Sequence, residues 1–131
     1  MKINGVEATF HHMGVPTMEP KPGERFSELF GMYTSESACK VARIQWHRFE
    51  TNSPLHPLIR TMPHAAFKVA DLDASISGSN VLLGPYEPIP NFRVAIIEDG
   101  GFPVELIQTT LTEEELWRRP EANNILYTGS P

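Results

Sequence analysis

Two histidines and one glutamate carry the chemistry open to this chain. His12 and His64 each head a strand-like segment, His12-Met-Gly-Val-Pro-Thr and His64-Ala-Ala-Phe-Lys-Val, 52 residues apart. Glu105 lies in the middle of the otherwise apolar run Phe102-Pro-Val-Glu-Leu-Ile-Gln. Two neutral imidazoles and a carboxylate form a binding set for a divalent metal that keeps open positions for a substrate. A cation held in that way polarises a carbonyl and stabilises the anion left when a neighbouring C–H loses its proton. The carboxylate beside it is placed for general-base work. Taken singly, each residue has a plainer reading. A histidine at a strand end is more commonly a hydrogen-bonded structural residue, and a strand glutamate usually faces water because an unpaired buried carboxylate is costly. Ligation becomes the better account because the histidines occupy matching places in a repeat.

That repeat is read from the elements around them. Ala8 to Val15 reads as a strand, broken by Pro16, Pro20, Pro22 and Gly23. Phe26, Leu29 and Phe30 then stand at i, i+3 and i+4, which predicts a short helix ending at Gly31. Gly31 to Thr34 and Cys39 to Glu50 have strand character on either side of the turn Ser35-Glu36-Ser37, and Asn52-Ser53-Pro54 with Pro57 closes the half. In the second half His64 to Val69 is a strand, and Asp71 caps a short helix with Leu72 and Ile76 on one face and Gly78 at its end. Val81 to Leu83 is a short strand and Gly84 to Asn91 a proline-rich loop. Phe92 to Glu98 and Phe102 to Thr109 then form a hairpin across Asp99-Gly100-Gly101. The chain therefore reads as an internal duplication, with module one about 8–54 and module two about 62–109. Thr112-Glu-Glu-Glu115 is a capping box opening a helix with Leu116 and Trp117, and the chain from Arg118 to Pro131 reads as an irregular tail.

At 131 residues the chain suits one domain, expected over 1–111 with 112–131 as terminal helix and tail. Forty per cent hydrophobic and 21% charged residues are ordinary for a soluble globular protein. A net charge of −5 and 11 scattered basic residues argue against a nucleic-acid partner. The single cysteine, Cys39, has no internal partner, and MKINGVEATF lacks the basic-then-apolar pattern of a secretion signal, so a cytoplasmic protein without a membrane partner is expected.

The duplicated βαβββ order, the histidine heading each first strand, His64-x-x-Phe-x-Val-x-Asp-Leu-Asp73 and the ending Gly101-Phe-Pro-Val-Glu-Leu-Ile-Gln108 together resemble the vicinal oxygen chelate superfamily. That superfamily includes glyoxalases, methylmalonyl-CoA epimerases, extradiol dioxygenases, fosfomycin-resistance enzymes and bleomycin-binding proteins. The resemblance covers roughly residues 8 to 109. It implies an α+β fold in which two tandem βαβββ modules form a half-barrel around a metal site, with His12, His64 and Glu105 on the ligand positions. It further implies a divalent ion (Zn, Ni, Mn, Co or Fe), a small-molecule substrate and a homodimer. In glyoxalases and epimerases the last strand of module one adds a ligand, and the matching segment is Gln45 to Glu50. If Ile44 and Trp46 face the helix-packed side, alternation turns Gln45, His47 and Phe49 to the cavity, which makes His47 the expected fourth ligand. A register slip would substitute Gln45 or Glu50.

The activity implied is that of a glyoxalase-like lyase or isomerase of a small oxygenated metabolite, with Glu105 as the proton-shuttling residue. The rivals are a metal-free sequestering protein of the bleomycin-resistance type, a fosfomycin-type transferase and a ring-cleaving dioxygenase. Arg43, Arg48, Lys68 and Arg93 are candidates to place a substrate carboxylate or phosphate. His11 has the opposite strand parity to His12 and is expected to face solvent or helix, and His56 falls in a proline-rich loop.

Overall fold

The computed structural model describes residues 1–37 and 43–117, so Cys39 and the tail from Arg118 lie outside the described residues. Nine strands and three short helices are described: β1 (Lys2–Ile3), β2 (Val6–Pro16), β3 (Arg25–Ser27), β4 (Met32–Glu36), β5 (Ile44–Phe49), α1 (Pro57–Thr61), β6 (His64–Val69), α2 (Leu72–Ile76), β7 (Asn80–Ile89), β8 (Phe92–Asp99), β9 (Phe102–Thr109) and α3 (Glu113–Trp117). They form one sheet in the order β3-β4-β5-β2-β6-β9-β8-β7, with β1 added to β2. In each half the first strand pairs in parallel with the last, β2 with β5 and β6 with β9, and the two halves join through the antiparallel seam β2–β6. The architecture is the expected α+β half-barrel.

The sheet has two differently furnished faces. On the convex side α2 lays Leu72 against Ala8, Val69, Ala95, Ile97 and Leu106. Asp71 caps that helix as expected, its carboxylate accepting the Ala74 N–H at 3.1 Å. On the concave side Phe30 and Met32 of the first half meet Ile96 of the second, while Ala66, Val94 and Ile107 pack with Leu116 of α3. Alternation along β9 therefore turns Val104 and Leu106 to α2, and Glu105 and Ile107 inward. The capping box forms, Thr112 N–H donating to Glu115 and Glu115 N–H to Thr112 Oγ1.

Three local readings are corrected. No helix forms over Phe26 to Phe30. Phe26 instead belongs to β3 opposite Tyr33, their rings 4.7 Å apart, and a turn follows in which Phe30 N–H donates to Ser27 Oγ. A stripe of three apolar residues cannot nucleate a helix against such local bonds, and Leu29 of that stripe is half exposed. Module one thus lacks its helix, and the outer face of Trp46 is met by Lys21 Nζ, 4.5 Å above the ring. The proline-rich stretch from Gly84 is not a loop but the continuation of β7. β7 lies at the end of the sheet and its pairing with β8 shifts register three times, and an edge strand with bulges accommodates Pro85 and Pro88. His56 lies not in a loop but at the N-cap of α1, accepting the Leu58 N–H with Pro57 in the first turn. No helix among the described residues is long and apolar enough to cross a membrane.

Candidate metal centre

Strand register brings the three expected residues to the middle of the concave face. On the β2–β6 seam His12 pairs with Ala66 and Gly14 with His64, and on β9 Glu105 pairs with Ala66. Each histidine therefore lies opposite the small residue found two places beyond the other, which is the pattern His-x-Gly in β2 and His-x-Ala in β6. The small residues make room. A Cβ on Gly14 would lie 2.7 Å from His64 Nδ1 and closer still to Cε1 and Nε2, although the Gly14 backbone is not among the left-handed residues. It is the imidazole lying across β2, and not a turn, that demands glycine.

The donor atoms converge. One ligand atom from each of His12, His64 and Glu105 lies within 4.8 Å of the others. His12 Nε2 is 3.6 Å from Glu105 Oε2 and His64 Nε2 is 3.4 Å from Oε1. His64 Nε2 and His47 Nε2 are both buried with no hydrogen-bond partner among the described residues. Buried polar atoms normally find partners, so two imidazole nitrogens left over beside a carboxylate fit a site built to share a cation. Burial opposes ionisation of Glu105, but His64, His12 and His47 outweigh it and hold the carboxyl down to about 2. The carboxylate is then charged over the whole physiological range.

His47 is not one of the three residues whose ligand atoms cluster. Its ring stacks on that of His64 with centroids 5.6 Å apart, and Nδ1 is bonded to Thr34 Oγ1 at 3.0 Å. Alternation in β5 follows the expected sense, with Gln45 and His47 buried toward the cavity while Glu50 lies past the strand, exposed. The register adds a distinction that alternation alone does not make. Gly14 pairs with Gln45 as Ala66 pairs with Glu105, so Gln45 is the counterpart of Glu105; His47 pairs with Pro16 as Ile107 pairs with Lys68. Gln45 Nε2 donates to Glu36 Oε1 at 3.0 Å, which turns its carbonyl oxygen the other way.

His11 is a correction. The pairing of β2 with β6 slips between Phe10 and His12, so His11 is the extra residue of a β-bulge and shares the concave face with His12. Its side chain is 7% exposed, and its Nδ1 lies 2.8 Å from His12 Nδ1. Simple parity missed it because parity assumes an unbroken pleat. The neighbouring cavity, about 70 Å³, is bounded by His11, His12, Gln45, His47 and Glu105 and closed by Met32, Tyr86, Phe92 and Leu116. Among the described residues no lysine or arginine lines it. Arg48 pairs with Glu24 and stacks on Tyr33, Lys68 reaches Glu113, Arg93 meets Asp73, and Arg43 is exposed, so none of the four candidates stands at the cavity.

Burial, with the neighbouring His64 and His12, pushes His47 down to about 3, against the weaker upward pull of Glu105. The native ring therefore refuses a proton that the unfolded chain accepts once pH falls below 6.5, and stability is lost from there down to about 3. Glu105 works in the same sense. Its native carboxylate stabilises the fold above 4.5, and that contribution disappears as pH falls toward 2. We expect the urea midpoint of chelator-treated protein to decline steadily from pH 6.5 to 3, and His47→Phe to flatten the upper part of that limb. An unchanged limb in His47→Phe would show that the ring is not kept neutral.

No family model matches the chain, and neither does any curated protein. Solved structures share its fold, among them the following two. A hypothetical protein of Bacillus halodurans aligns with a TM-score of 0.60 at 14% identity, over 80% of this chain and 96% of that one. Methylmalonyl-CoA epimerase from Mycobacterium tuberculosis aligns with a TM-score of 0.56 at 17% identity, over 78% of this chain and 88% of that one. These likenesses establish a fold of the vicinal oxygen chelate type.

Proposed function

We propose that this chain is a divalent-metal-dependent isomerase or lyase that moves a proton beside a carbonyl of a small oxygenated substrate. The observation that carries this reading is the convergence of one ligand atom from each of His12, His64 and Glu105 within 4.8 Å of one another. The fold shared with an epimerase supports the same class of chemistry. Nitrogen and carboxylate donors suit Zn, Ni, Mn, Co or Fe(II). A bound ion would polarise a substrate carbonyl and favour loss of the adjacent proton.

The chain supplies the rest. His12 and His64 hold the site from the two strands of the seam, and Glu105 adds the one negative charge and accepts the proton. For the fourth position the register favours Gln45, through its carbonyl oxygen, as the counterpart of Glu105. His47 then stands beside the site as a neutral ring offering Nε2 to the substrate, its orientation set by Thr34. Met32, Tyr86 and Phe92 give the cavity an apolar side that suits a small organic substrate.

Metal analysis tests this directly. Protein purified without chelator, or reloaded with each of the five ions, is expected to hold about one ion per chain, the number one triad can bind. His12→Ala, His64→Ala and Glu105→Ala are expected to hold almost none, whereas His47→Ala keeps the ion. If wild-type protein takes up no ion from any of the five, the metalloenzyme reading fails and a metal-free binding protein replaces it.

A further inference from the structure

The concave face holds a second histidine that the triad does not use, and it is wired to the end of the domain. His11 bridges two partners: its Nδ1 is 2.8 Å from His12 Nδ1 and its Nε2 is 3.0 Å from Glu113 Oε2. Glu113 opens α3, whose capping box is formed and whose Leu116 is buried in the core, and Lys68 Nζ lies 3.4 Å from its other oxygen. The carboxylate is thus met by His11 on one oxygen and Lys68 on the other.

The hydrogen positions follow from the chemistry of the rings. Two Nδ1 atoms at 2.8 Å share one proton, so one ring donates and the other accepts. If His11 were neutral and donated from Nδ1, its Nε2 would present a lone pair to the Glu113 carboxylate at 3.0 Å, two acceptors facing each other. If His12 donates instead, His11 carries its hydrogen on Nε2 and gives it to Glu113, and in both of these contacts of the neutral His11 ring a donor meets an acceptor. His12 then has a bare Nε2, turned toward Glu105 Oε2 at 3.6 Å. That is the tautomer in which Nε2 can bind an ion.

We propose that His11 and Glu113 are positioning residues that select the metal-binding tautomer of His12, a carboxylate–histidine–histidine chain reaching from α3 to the candidate centre. The inference rests on the metal-site reading for its purpose but not for its geometry. Outer partners of ligand histidines are commonly worth about 10- to 100-fold in metal affinity. The bulge in β2 acquires a reason as well: it turns two consecutive histidines to one face, one for the centre and one to orient it.

The test uses full-length protein labelled with ¹⁵N in histidine, at pH 8 and after chelator treatment, with ring tautomers read from long-range ¹H–¹⁵N correlations. His12 is expected to carry its hydrogen on Nδ1 and His11 on Nε2. Glu113, more than half exposed, can be changed without disturbing the core. In Glu113→Ala and His11→Phe the His12 ring is expected to shift toward the Nε2–H form, and Zn affinity in a competition titration to fall about 10- to 100-fold. Glu113→Gln, whose carbonyl still accepts, is expected to restore both. Nε2–H on His12 in the wild type, or an unchanged tautomer in Glu113→Ala, overturns the inference. Wild-type protein that binds no Zn removes the metal reading, while the ring tautomers still decide whether the chain exists.

Discussion

Replacing Gly14 with alanine is expected to weaken metal binding by about 100-fold or more while leaving a folded protein, since each tenfold corresponds to about 1.4 kcal/mol. The new Cβ would fall within 2.7 Å of His64 Nδ1, and nearer to two other ring atoms, in the centre of the β2–β6 seam. Either the imidazole swings away or the strands part. Overpacking of a buried site typically costs about 1–3 kcal/mol, so the ring is the part that yields, and with it goes one of the three proposed ligands. Zn competition and urea unfolding on the same protein separate the two effects. The counterpart substitution is the control. Ala66→Gly removes a methyl that already fits and is expected to cost roughly 0.5–1 kcal/mol of stability through backbone freedom, with the ion still bound. A Gly14→Ala protein with wild-type affinity would mean that His64 does not lie across β2 as described.

Glu105→Gln is expected to lower proton exchange between substrate and solvent by about 10²- to 10⁴-fold, the range typical of a lost general base. The amide keeps the shape of the side chain but gives up both its charge and its ability to take a proton. With small α-hydroxycarbonyl and α-dicarbonyl compounds in D₂O, the readout is deuterium incorporation at the carbon beside the carbonyl, scored at saturating metal so that weaker binding is not mistaken for slower chemistry. Wild-type exchange surviving in Glu105→Gln would leave Glu105 as a ligand only and send the search for the base to another residue of the cavity.

The duplication, the seam strands and the triad were legible because they sit in regular segments. His64 to Val69 and Phe102 to Thr109 alternate without interruption, so counting by two from an apolar neighbour gives the right face for Glu105. The same count fails at His11, where one inserted residue in β2 shifts the parity of everything before it. Nothing in Phe10-His-His-Met announces that slip; only the partner strand defines it. Gln45 and His47 show a subtler limit. Alternation places both inward, but which of them mirrors Glu105 depends on the stagger between β2 and β5, a pairing across a long connection. Prolines in β7 and the apolar stripe from Phe26 to Phe30 misled for a common reason. A local signal does not say whether its segment ends up at the sheet edge or inside it.

Because His12 comes from the first module and His64 and Glu105 from the second, the candidate centre is complete only where the two halves meet. A ligand shared by His12, His64 and Glu105 would bind the docked seam and have little affinity for an opened chain. Its free energy would therefore add to the cohesion of the two halves by mass action. In thermodynamic terms the ion would act as a rivet through the seam, so that occupancy reports on the joining of the modules as much as on the chemistry of the pocket.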